Sequence, residues 1–399
     1  MQLTGGLPFW LIKDGLLNNY PKLLENTETE NVIIGGGISG ALTACYLTDA
    51  GKPCVLVDGR TIGLGSTCAS TALLQYELDT PLHILQKKVG EPTATRAYQL
   101  CGKSIDTLVR LMNDLNFKDF EKTGSLFFST HHSEKDFMLK ELTARKHAGF
   151  KVSLAEPDEL KKQYGLNAQY AIISEEGCSV NAYALTHALL QHSIKKGLRV
   201  FDRTCIKDIQ YKKTTTLKTL DNYTIKTKNI INATGYEVVN FIPKGFVDFY
   251  CTYAIASEQS SEEKQRWKDN ILMWNTDDPY LYMRLTNDNR VIVGGRDERF
   301  SNAFSRQSLL DKKARQLQKD FEEALSGISF RKEFAWSGTF GKTKDSLPYI
   351  GAYKKTPNTY YALGFGGNGI TFSVIAAEII KDIICGKHNA DANLFSFDR

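Results

Sequence analysis

A short apolar strand that runs directly into a glycine-rich turn is the feature that most constrains this 399-residue chain. Residues 32–34 are Val-Ile-Ile, and residues 35–40 are Gly-Gly-Gly-Ile-Ser-Gly. An amphipathic helical pattern follows, and Gly51 is expected just beyond its end. A second apolar run at 54–57 ends on Asp58. This order predicts a β-α-β unit with a tight first turn.

The glycines of the turn have the G-x-G-x-x-G spacing of a dinucleotide-binding site. Gly35 permits the turn, Gly37 lets a pyrophosphate approach the backbone, and Gly40 lets helix and strand pack closely. Ile38 and Ser39 begin the helix, where free N–H groups and the helix dipole favour phosphate. A plain glycine turn is the alternative.

An acidic residue at the end of the second strand strengthens this interpretation. Asp58 lies 18 residues after Gly40, where a carboxylate accepts hydrogen bonds from an adenosine ribose. Gly59 and Arg60 follow it directly and are expected to line the same site.

Two distant glycine segments favour a flavin over a nicotinamide dinucleotide. Ala233, Thr234 and Gly235 close a predicted strand and resemble the A-T-G segment of FAD-binding two-domain flavoproteins. Residues 366–370 form a second close-approach loop at the start of a predicted helix, whose N-terminus would stabilise negative charge on a reduced flavin. Either segment alone is also compatible with an ordinary turn.

Together with further motifs, these segments resemble the D-amino-acid oxidase superfamily, in particular the group of glycine oxidase, sarcosine oxidase and D-amino-acid dehydrogenase. The resemblance covers most of the chain. Its most specific part is the D-x-L-P-x-I-G segment at 345–351, which precedes the glycine-rich helix start. The other matching segments are Phe9-Trp10, 63–67, 177–181, 204–206, 232–235, 336–338 and 364–371.

The resemblance implies an α/β fold with a Rossmann-type FAD-binding domain and a second, mainly antiparallel-sheet substrate domain. Two domains are also expected from the length of the chain. The predicted FAD-binding domain is discontinuous and comprises 1–90, 150–240 and 335–399. The predicted substrate domain comprises 91–149 and 241–334.

The resemblance also assigns FAD contacts beyond the first glycine turn. Ile206 would contact the adenine through its backbone. The other implied contacts lie along the flavin and at the second glycine loop, and they are Ser66, Thr67, Gly338, Gly366, Gly367, Asn368, Gly369, Ile370 and Thr371.

The flavin is expected to be non-covalent. Sarcosine oxidases attach it to a cysteine near the last segment, and this chain has no cysteine between Cys251 and Cys385. Cys68 follows the 63–67 segment and could face the flavin, although a buried, inert thiol is the more common state of such a residue.

The substrate residues depart from the family pattern. Many amino-acid oxidases have arginine in a W-x-G-x-R-P stretch, where it binds the substrate carboxylate, and Phe340 occupies that position here. This change favours an amine without an α-carboxylate, or a carboxylate held by Arg284 or Lys342. A surface salt bridge is the alternative for Arg284. Tyr253 and Tyr282, with Tyr280, would form an aromatic cage for an amine or else belong to the core.

The expected activity is FAD-dependent oxidation of the C–N bond of an amine or amino acid. Hydride transfer to flavin N5 gives an imine, which water hydrolyses, and oxygen or a quinone reoxidises the flavin. One alternative is a flavin dehydrogenase of the same fold acting on an alcohol such as a glycerol phosphate. The other is a non-catalytic flavin-binding subunit of an amine-oxidising complex.

Composition limits the other classes of function. The net charge is +5, but no basic run is long enough to indicate nucleic-acid binding. The eight cysteines lie far apart, which argues against a metal site. No apolar stretch approaches the ~20 residues of a membrane helix, and no signal-peptide pattern is present, so a cytoplasmic protein is expected.

The remaining elements follow from hydrophobic periodicity. The first thirty residues show no periodic element and are expected to form a surface arm. The predicted helices are 92–115, 134–147, 182–196, 309–325 and 371–385. The predicted strands are 125–128, 198–201, 206–211, 224–231 and 360–363, with an antiparallel sheet expected over 249–295.

Overall fold

A computed structural model describes residues 3–212, 214–240, 245–260, 267–300 and 302–399. The strands are β1 (Thr4–Gly6), β2 (Thr27–Glu28), β3 (Asn31–Ile34), β4 (Cys54–Val57), β5 (Leu73–Leu74), β6 (Phe120–Ser129), β7 (Val152–Ala155), β8 (Tyr170–Val180), β9 (Arg199–Phe201), β10 (Ile206–Gln210), β11 (Thr215–Thr219), β12 (Thr224–Thr227), β13 (Asn229–Asn232), β14 (Asp248–Ser257), β15 (Leu272–Asn275), β16 (Tyr282–Leu285), β17 (Val291–Arg299), β18 (Lys332–Lys342), β19 (Tyr349–Ala352) and β20 (Thr359–Leu363).

The α-helices of the described residues are α1 (Phe9–Asp14), α2 (Ile38–Asp49), α3 (Ser66–Ala69), α4 (Leu82–Val89), α5 (Glu91–Asp114), α6 (Lys135–His147), α7 (Pro157–Tyr164), α8 (Ala182–Lys195), α9 (Ala303–Ala324) and α10 (Gly369–Ile384). No helix in this part of the chain combines the length and apolar character needed to span a bilayer.

A six-stranded sheet of order β19-β20-β13-β3-β4-β9 forms the first layer. All its pairs are parallel except the edge pair of β19 and β20. Its central strands are fully buried, as expected for a parallel sheet covered on both faces. The predicted β-α-β unit is therefore present as β3, α2 and β4, and it starts the Rossmann-type part of the fold.

The side chains of this sheet alternate between two cores. Ile33 and Leu56 pack in the cluster formed with helices α2, α5, α8 and α10. Val32 and Val55 point the other way and pack against Leu217 of a four-stranded sheet of order β10-β11-β12-β2. Because alternate side chains pack on opposite faces, the strand that carries the glycine turn is held rigidly from both sides of the sheet.

The second large layer is a ten-stranded sheet of order β1-β18-β14-β17-β16-β15-β6-β8-β5, with β7 paired to β8. It is antiparallel except for the parallel pair of β6 and β15. Helix α9 packs on one of its faces through Leu317 and Phe321. The predicted fold class, a Rossmann-type domain with a mainly antiparallel second domain, is confirmed.

Several elements, among them β7, β8 and α5, pack with a layer other than the one expected from their position in the chain. Strands β7 and β8 fall within 150–240 but pair in the ten-stranded sheet. Helix α5 falls within 91–149 but packs against the helices that cover the six-stranded sheet. These differences follow from long-range contacts that periodicity along the chain does not report.

The N-terminal arm contains structure that the sequence did not predict. Strand β1 pairs with β18, with Gly5 opposite Ser337. Helix α1 buries Phe9 and Trp10 against Trp336. A three-residue strand and a six-residue helix have too few residues to show periodicity, so tertiary contacts define them.

Most of the predicted helices and strands are present, and three differ in their bounds by more than two residues. The predicted strand 125–128 is longer and runs over Phe120–Ser129 as β6. The predicted strand 224–231 is two strands, because β12 joins the four-stranded sheet and β13 joins the six-stranded sheet. Helix α9 starts at Ala303, where the side chain of Asn302 accepts a hydrogen bond from the Ser305 N–H at 2.8 Å.

A fully buried ion cluster joins helix α6 to the segment that follows β5. The Arg145 guanidinium donates to Glu141 at 2.7 Å and to Glu77 at 3.2 Å, and all three side chains are inaccessible. His83 Nδ1 lies 2.7 Å from Glu141, and Ser125 donates to Glu77. Because each charge has partners, the cluster holds the chain beside the cavity described below.

The cluster makes the stability of the fold depend on pH. Burial opposes ionisation of Glu141, but the Arg145 charge and hydrogen bonds from His83 outweigh it and lower the pKa of Glu141 from 4.5 to about 2. Since this folded-state pKa lies below the unfolded value, the stabilisation is present above pH 4.5 and is lost as the pH falls towards 2.

We expect Arg145→Met to lower the free energy of unfolding by roughly 3–5 kcal/mol, because two carboxylates would remain buried without their cation. Urea unfolding followed by circular dichroism measures the change. Arg315→Met, on the exposed face of α9, is the control and should change stability by less than ~0.5 kcal/mol. Equal stabilities for the two variants would contradict a structural role for the cluster.

Candidate functional site

A cavity of about 520 Å³ runs from the first glycine turn to the ten-stranded sheet. It is lined by all but one of the cofactor-binding residues predicted from the sequence. These are Gly35, Gly37, Ile38, Ser39, Asp58, Gly59, Arg60, Ser66, Thr67, Ile206, Ala233, Thr234, Gly235, Gly338, Gly366, Gly367, Asn368, Gly369, Ile370 and Thr371. The exception is Gly40, which packs behind the turn.

The turn after β3 accepts only glycine at two positions. Gly35 has φ +112°, and a Cβ there would lie 2.3 Å from the carbonyl oxygen of Ala233. A Cβ on Gly40 would lie 1.9 Å from the carbonyl oxygen of Gly35. The backbones of β3, α2 and the segment after β13 therefore meet without side chains between them, which leaves the helix N-terminus open to the cavity.

The N-termini of three helices face the cavity. Thr67 of α3 accepts a hydrogen bond from the Ile38 N–H at 3.1 Å. The hydroxyls of Ser39 in α2 and Ser373 in α10 lie 2.6 Å apart. The first N–H groups of a helix have no partner inside the helix, so this arrangement offers donors to an anionic pyrophosphate and to the flavin carbonyls.

The carboxylate of Asp58 organises the end of the cavity on the side of the six-stranded sheet. Its oxygens accept hydrogen bonds from the Gly36 N–H at 2.6 Å and the Arg60 N–H at 2.7 Å. Burial raises the pKa of Asp58, and these two backbone bonds oppose the rise. Each oxygen keeps a further lone pair for a ribose hydroxyl. Arg60 forms a two-pronged pair with Glu237, with both N–O distances at 2.6 Å.

The second glycine loop is held by a segment that sequence reasoning missed. The Asn368 side chain donates to the carbonyl oxygen of Glu77 at 2.7 Å. The Gly367 N–H donates to Asp79 at 3.0 Å, and the Tyr280 hydroxyl donates to the same carboxylate at 2.9 Å. Residues 75–79 have no motif of their own, so only the tertiary structure brings Asp79 to the cavity.

The end of the cavity nearest the ten-stranded sheet is aromatic and acidic. Trp274, Tyr280, Tyr282 and Phe340 form its walls, and Asp297 joins Asp79 as its second carboxylate. The Tyr282 hydroxyl lies 2.9 Å from the Thr252 hydroxyl, which holds that ring in place. The predicted Tyr282 is therefore at the cavity, together with Tyr280.

A β-bulge aims Asp297 into this space. Cys251 pairs with Glu298 and Tyr253 pairs with Gly295, so one residue of β14 faces two residues of β17. Arg296, in the bulge, has φ +57° and forms an ion pair with Asp320 of α9. The neighbouring Asp297 lines the cavity, and its Oδ1 atom is buried without a hydrogen-bond partner among the described residues.

A second cavity of about 470 Å³ shares Asp79, Trp274 and Tyr280 with the first. Lys342 lines it, with its ammonium 5.1 Å from the Tyr250 ring and 5.4 Å from the Phe340 ring. The carboxylates that line it are those of Asp79, Asp248, Asp277 and Asp278, and its other basic residue is Lys88. Carboxylates outnumber basic residues in the lining of this second cavity, which we call the acidic vestibule.

Two of the predicted substrate residues lie outside both cavities. Arg284 is buried beneath Trp10, at 5.2 Å from that ring, and donates to the carbonyl oxygen of Val180 at 3.1 Å. Burial lowers its pKa to about 10, and its surroundings are the core, not a surface ion pair. Tyr253 packs in the core under α9, beside Cys251.

Among the described residues, Cys205 is the cysteine that lines the first cavity, and Cys68 does not line it. Cys68 packs in the core, where its thiol lies 3.2 Å from the carbonyl oxygen of Gly65, and burial raises its pKa to about 12. Within the described residues, the one group with possible metal ligands is Cys45, Asp49 and His192. Asp49 there pairs with the Lys196 ammonium at 2.5 Å, so a cation already occupies that carboxylate.

The sequence and the fold were compared with known proteins. A family model described as "DAO: FAD dependent oxidoreductase" matches residues 31–383. The match spans the glycine turn, the six-stranded sheet, the ten-stranded sheet except β1, and helix α10 except its last residue.

The chain belongs to this DAO family of FAD-dependent oxidoreductases.

Three similar proteins illustrate the range of the family. The gamma-glutamylputrescine oxidoreductase of Escherichia coli is 22% identical over 393 residues, which cover 94% of this chain and 88% of that protein. Glycine oxidase from Geobacillus kaustophilus superposes with a TM-score of 0.79 at 18% identity, covering 93% of this chain and 99% of that one. L-α-glycerophosphate oxidase from Mycoplasma pneumoniae gives 0.74 at 14% identity, covering 91% and 98%.

The cavity fits the cofactor of the DAO family. The close backbone packing at Gly35 and Gly40 leaves the N-terminus of α2 open to the cavity, and the helix N-termini supply donors for a pyrophosphate. The cavity-lining residues that sequence reasoning missed include Gln75, Glu77, Asp79, Trp274 and Asp297. Of these, only Asp297 had a usable signal, because Gly294-Gly295 before it in an apolar strand indicates a bulge.

We expect Asp58→Ala to weaken FAD binding by about 1.5–3 kcal/mol, because hydrogen bonds to a charged acceptor would be lost. Titration of the apoprotein with FAD, followed by flavin fluorescence, gives the dissociation constant. Asp208→Ala, an exposed carboxylate on β10 that does not line the cavity, is the control. An unchanged dissociation constant for Asp58→Ala would assign this residue only to the stability of the turn.

Proposed function

We propose that this DAO-family enzyme oxidises the C–N bond of an amine, with non-covalent FAD in the first cavity. The observation that carries the proposal is the charge of the substrate end, where Asp79 and Asp297 face the cavity among aromatic rings. The cations lining that cavity in the described chain are Arg60 and Lys207, on the side of the six-stranded sheet. Carboxylates at the reacting end attract a cation and repel a carboxylate.

The aromatic walls support the same substrate class. Trp274 and Tyr280 meet edge to face with centroids 5.9 Å apart, and Tyr280 and Tyr282 lie 5.6 Å apart. Faces of tyrosine and tryptophan attract an ammonium group through the ring quadrupole. They also exclude water from the reacting carbon, which protects an imine product until it leaves.

The phenylalanine at position 340 disfavours a substrate with an α-carboxylate. Phe340 is buried and lies over Tyr250, with ring centroids 5.9 Å apart. An α-carboxylate placed against it would lose hydration without gaining a cation, at a cost of several kcal/mol. Lys342, on the far side of that ring in the vestibule, would serve a carboxylate only if the substrate extended there.

The cofactor and the chain contribute different parts of the proposed reaction. Bound FAD supplies a hydride acceptor at N5. The chain binds the amine between Tyr280 and Tyr282 and turns its α C–H towards the cofactor. Asp79 and Asp297 attract the incoming ammonium, and the acidic vestibule increases its local concentration.

The alternative of an alcohol phosphate is supported by the structural similarity to the glycerophosphate oxidase. Such a substrate needs a cluster of cations near the reacting end. Lys88 and Lys342 line the vestibule, but four carboxylates line it with them. The charge balance therefore favours the amine. A non-catalytic flavin subunit is distinguished by the reduction experiment below.

The flavin should leave the protein on acid precipitation, because Cys68 faces the core. Absorbance of the supernatant near the flavin maximum measures the release. Cys205, the cysteine that lines the cavity among the described residues, lies next to Gly59, on the side of the six-stranded sheet. Flavin retained in the pellet would contradict non-covalent binding.

Anaerobic stopped-flow reduction with matched pairs tests the substrate class. We expect amines to bleach the flavin at least tenfold faster than the amino acids from which they derive by decarboxylation. Phe340→Arg should decrease or reverse the ratio of the amine rate to the amino-acid rate, because it adds a cation that can bind the substrate carboxylate. Arg284→Ala should leave the preference unchanged, since Arg284 lies outside both cavities.

Three results would oppose the proposal. Faster reduction by the amino acids would show that a cation elsewhere holds the carboxylate. Reduction by glycerol phosphate alone would favour the alcohol reaction, and no reduction by any compound of a broad metabolite panel would favour the non-catalytic subunit.

Mixing the reduced protein with oxygen or with a soluble quinone then identifies the electron acceptor, which we propose to be one of these two.

A further inference from the structure

We propose that Asp297 accepts the proton of the substrate ammonium group, so that the bound amine reacts as the neutral base. This inference rests on the proposed amine oxidation and assigns the proton transfer within it. An alkylammonium ion has no lone pair on nitrogen, and hydride loss from the adjacent carbon needs that lone pair. A proton acceptor close to the amine is therefore required at neutral pH.

The position of Asp297 is the first argument. The bulge in β17 turns this side chain into the cavity, while Arg296 on the other side is held by Asp320 at 2.7 Å. A left-handed, non-glycine residue such as Arg296 costs free energy, and bulges of this kind occur next to active sites. The fold thus places a carboxylate at the one part of the cavity that the aromatic rings surround.

The hydrogen bonding of Asp297 is the second argument. Its Oδ1 atom is buried and no described residue donates to it at hydrogen-bond distance, although the Thr252 hydroxyl lies close enough to the carboxylate to oppose the rise of its pKa. A buried carboxylate oxygen without a donor is costly and indicates a ligand that supplies one. An ammonium group entering between Tyr280 and Tyr282 supplies an N–H donor to this oxygen.

The other ionisable groups at this end are less suited to take the proton. Asp79 already accepts from Gly367 and Tyr280, one bond on each oxygen. Glu77 is paired with Arg145 in the buried cluster. Burial raises the pKa of both Tyr280 and Tyr282, so their phenols remain protonated and are donors.

The charges around Asp297 come from several elements. Burial raises the pKa of Asp297 to about 6, the Thr252 hydroxyl and the Lys342 charge oppose this rise, and Asp79 and Asp278 add to it. Asp297 is therefore mostly ionised at pH 7.5 but binds a proton more strongly than an exposed carboxylate does. Burial also lowers the pKa of an ammonium group, by up to 3–5 units when it is complete. Both burial effects favour transfer, whereas the attraction of the nearby Asp79 carboxylate for the ammonium group opposes it.

The step is balanced within the complex. One N–H bond of R–NH₃⁺ breaks and its electron pair stays on nitrogen, while an O–H bond forms on the carboxylate of Asp297. The products are R–NH₂ and a neutral carboxylic acid, so neither the amine nor Asp297 carries a charge after the transfer. No oxidant or further reactant takes part.

The pH dependence of flavin reduction tests the proposal. The second-order rate constant is measured anaerobically with the aliphatic amine that reduces the wild-type flavin fastest. For the wild type we expect a rise through pH about 6, where Asp297 ionises. For Asp297→Asn we expect a loss of ~10²–10³-fold at pH 7.4, because about one amine in 10³ is then neutral, and recovery near pH 10.

Controls separate this role from a structural one. Glu298→Gln removes the next carboxylate on β17, which lines neither cavity, and should keep the wild-type profile. If Asp297→Asn binds FAD poorly, Asp297→Ala with added formate provides the second test, and formate should restore reduction at pH 7.4. A wild-type profile in Asp297→Asn, or an absence of rescue in a folded, flavin-bound Asp297→Ala, would overturn the proposal.

Proton counting gives a readout without turnover. The α,α-dimethyl analogue of the same amine has no α C–H, and its binding is measured by calorimetry at pH 8 in buffers of different ionisation enthalpy. We expect no net proton release from the wild type and release of about one proton with Asp297→Asn. Equal proton counts for the two proteins would overturn the proposal.

The two proposals fail in different ways. If no amine reduces the wild-type flavin, the proposed function fails, and Asp297 has no proton to accept. If amines reduce the wild type and Asp297→Asn keeps its pH profile, amine oxidation stands and only the role of Asp297 is lost.

Discussion

The direct contact between three backbone segments at the end of β3 supports the rest of this structure. Gly35, Gly40 and Ala233 meet there at distances that exclude any Cβ on the two glycines. This contact sets the start of α2, the crossing of helix and sheet, and the path of the chain after β13. The open N-terminus of α2 and the position of Asp58 depend on it, so the anion-binding end of the cavity is a consequence of backbone packing.

The other end of the cavity depends on a different kind of constraint. The ten-stranded sheet contributes Tyr282 and Asp297 from neighbouring strands, and the bulge in β17 determines where Asp297 points. Asp79 comes from a loop between the sheets, held by Tyr280 and by the start of α10. The reacting end is thus assembled from the ten-stranded sheet, a loop and a helix start, and each is fixed by hydrogen bonds to another.

A buried ion pair supports the segment that forms part of the cavity wall. The cluster around Arg145 holds Glu77, whose carbonyl oxygen receives the Asn368 side chain at the start of α10. The same short segment therefore carries a buried ion pair on one side and the cavity wall on the other. These contacts hold residues 75–79 in place although the segment belongs to no helix or strand.

The sequence by itself determined the Rossmann unit, the FAD-dependent class and most of the cofactor cavity. It could do so because the glycine spacing, the strand before it and Asp58 are local in the chain, and steric exclusion at glycine leaves a visible pattern. The substrate end carries no such pattern. Arg284 and Tyr253 have the residue types of a substrate site, but strand register turns them into the core, whereas Asp79 and Asp297 become neighbours only through long-range pairing. The tertiary structure therefore decided the charge of the substrate end, since a period of two along each strand decides which side chains face the cavity, and register is set by partners far away in the sequence.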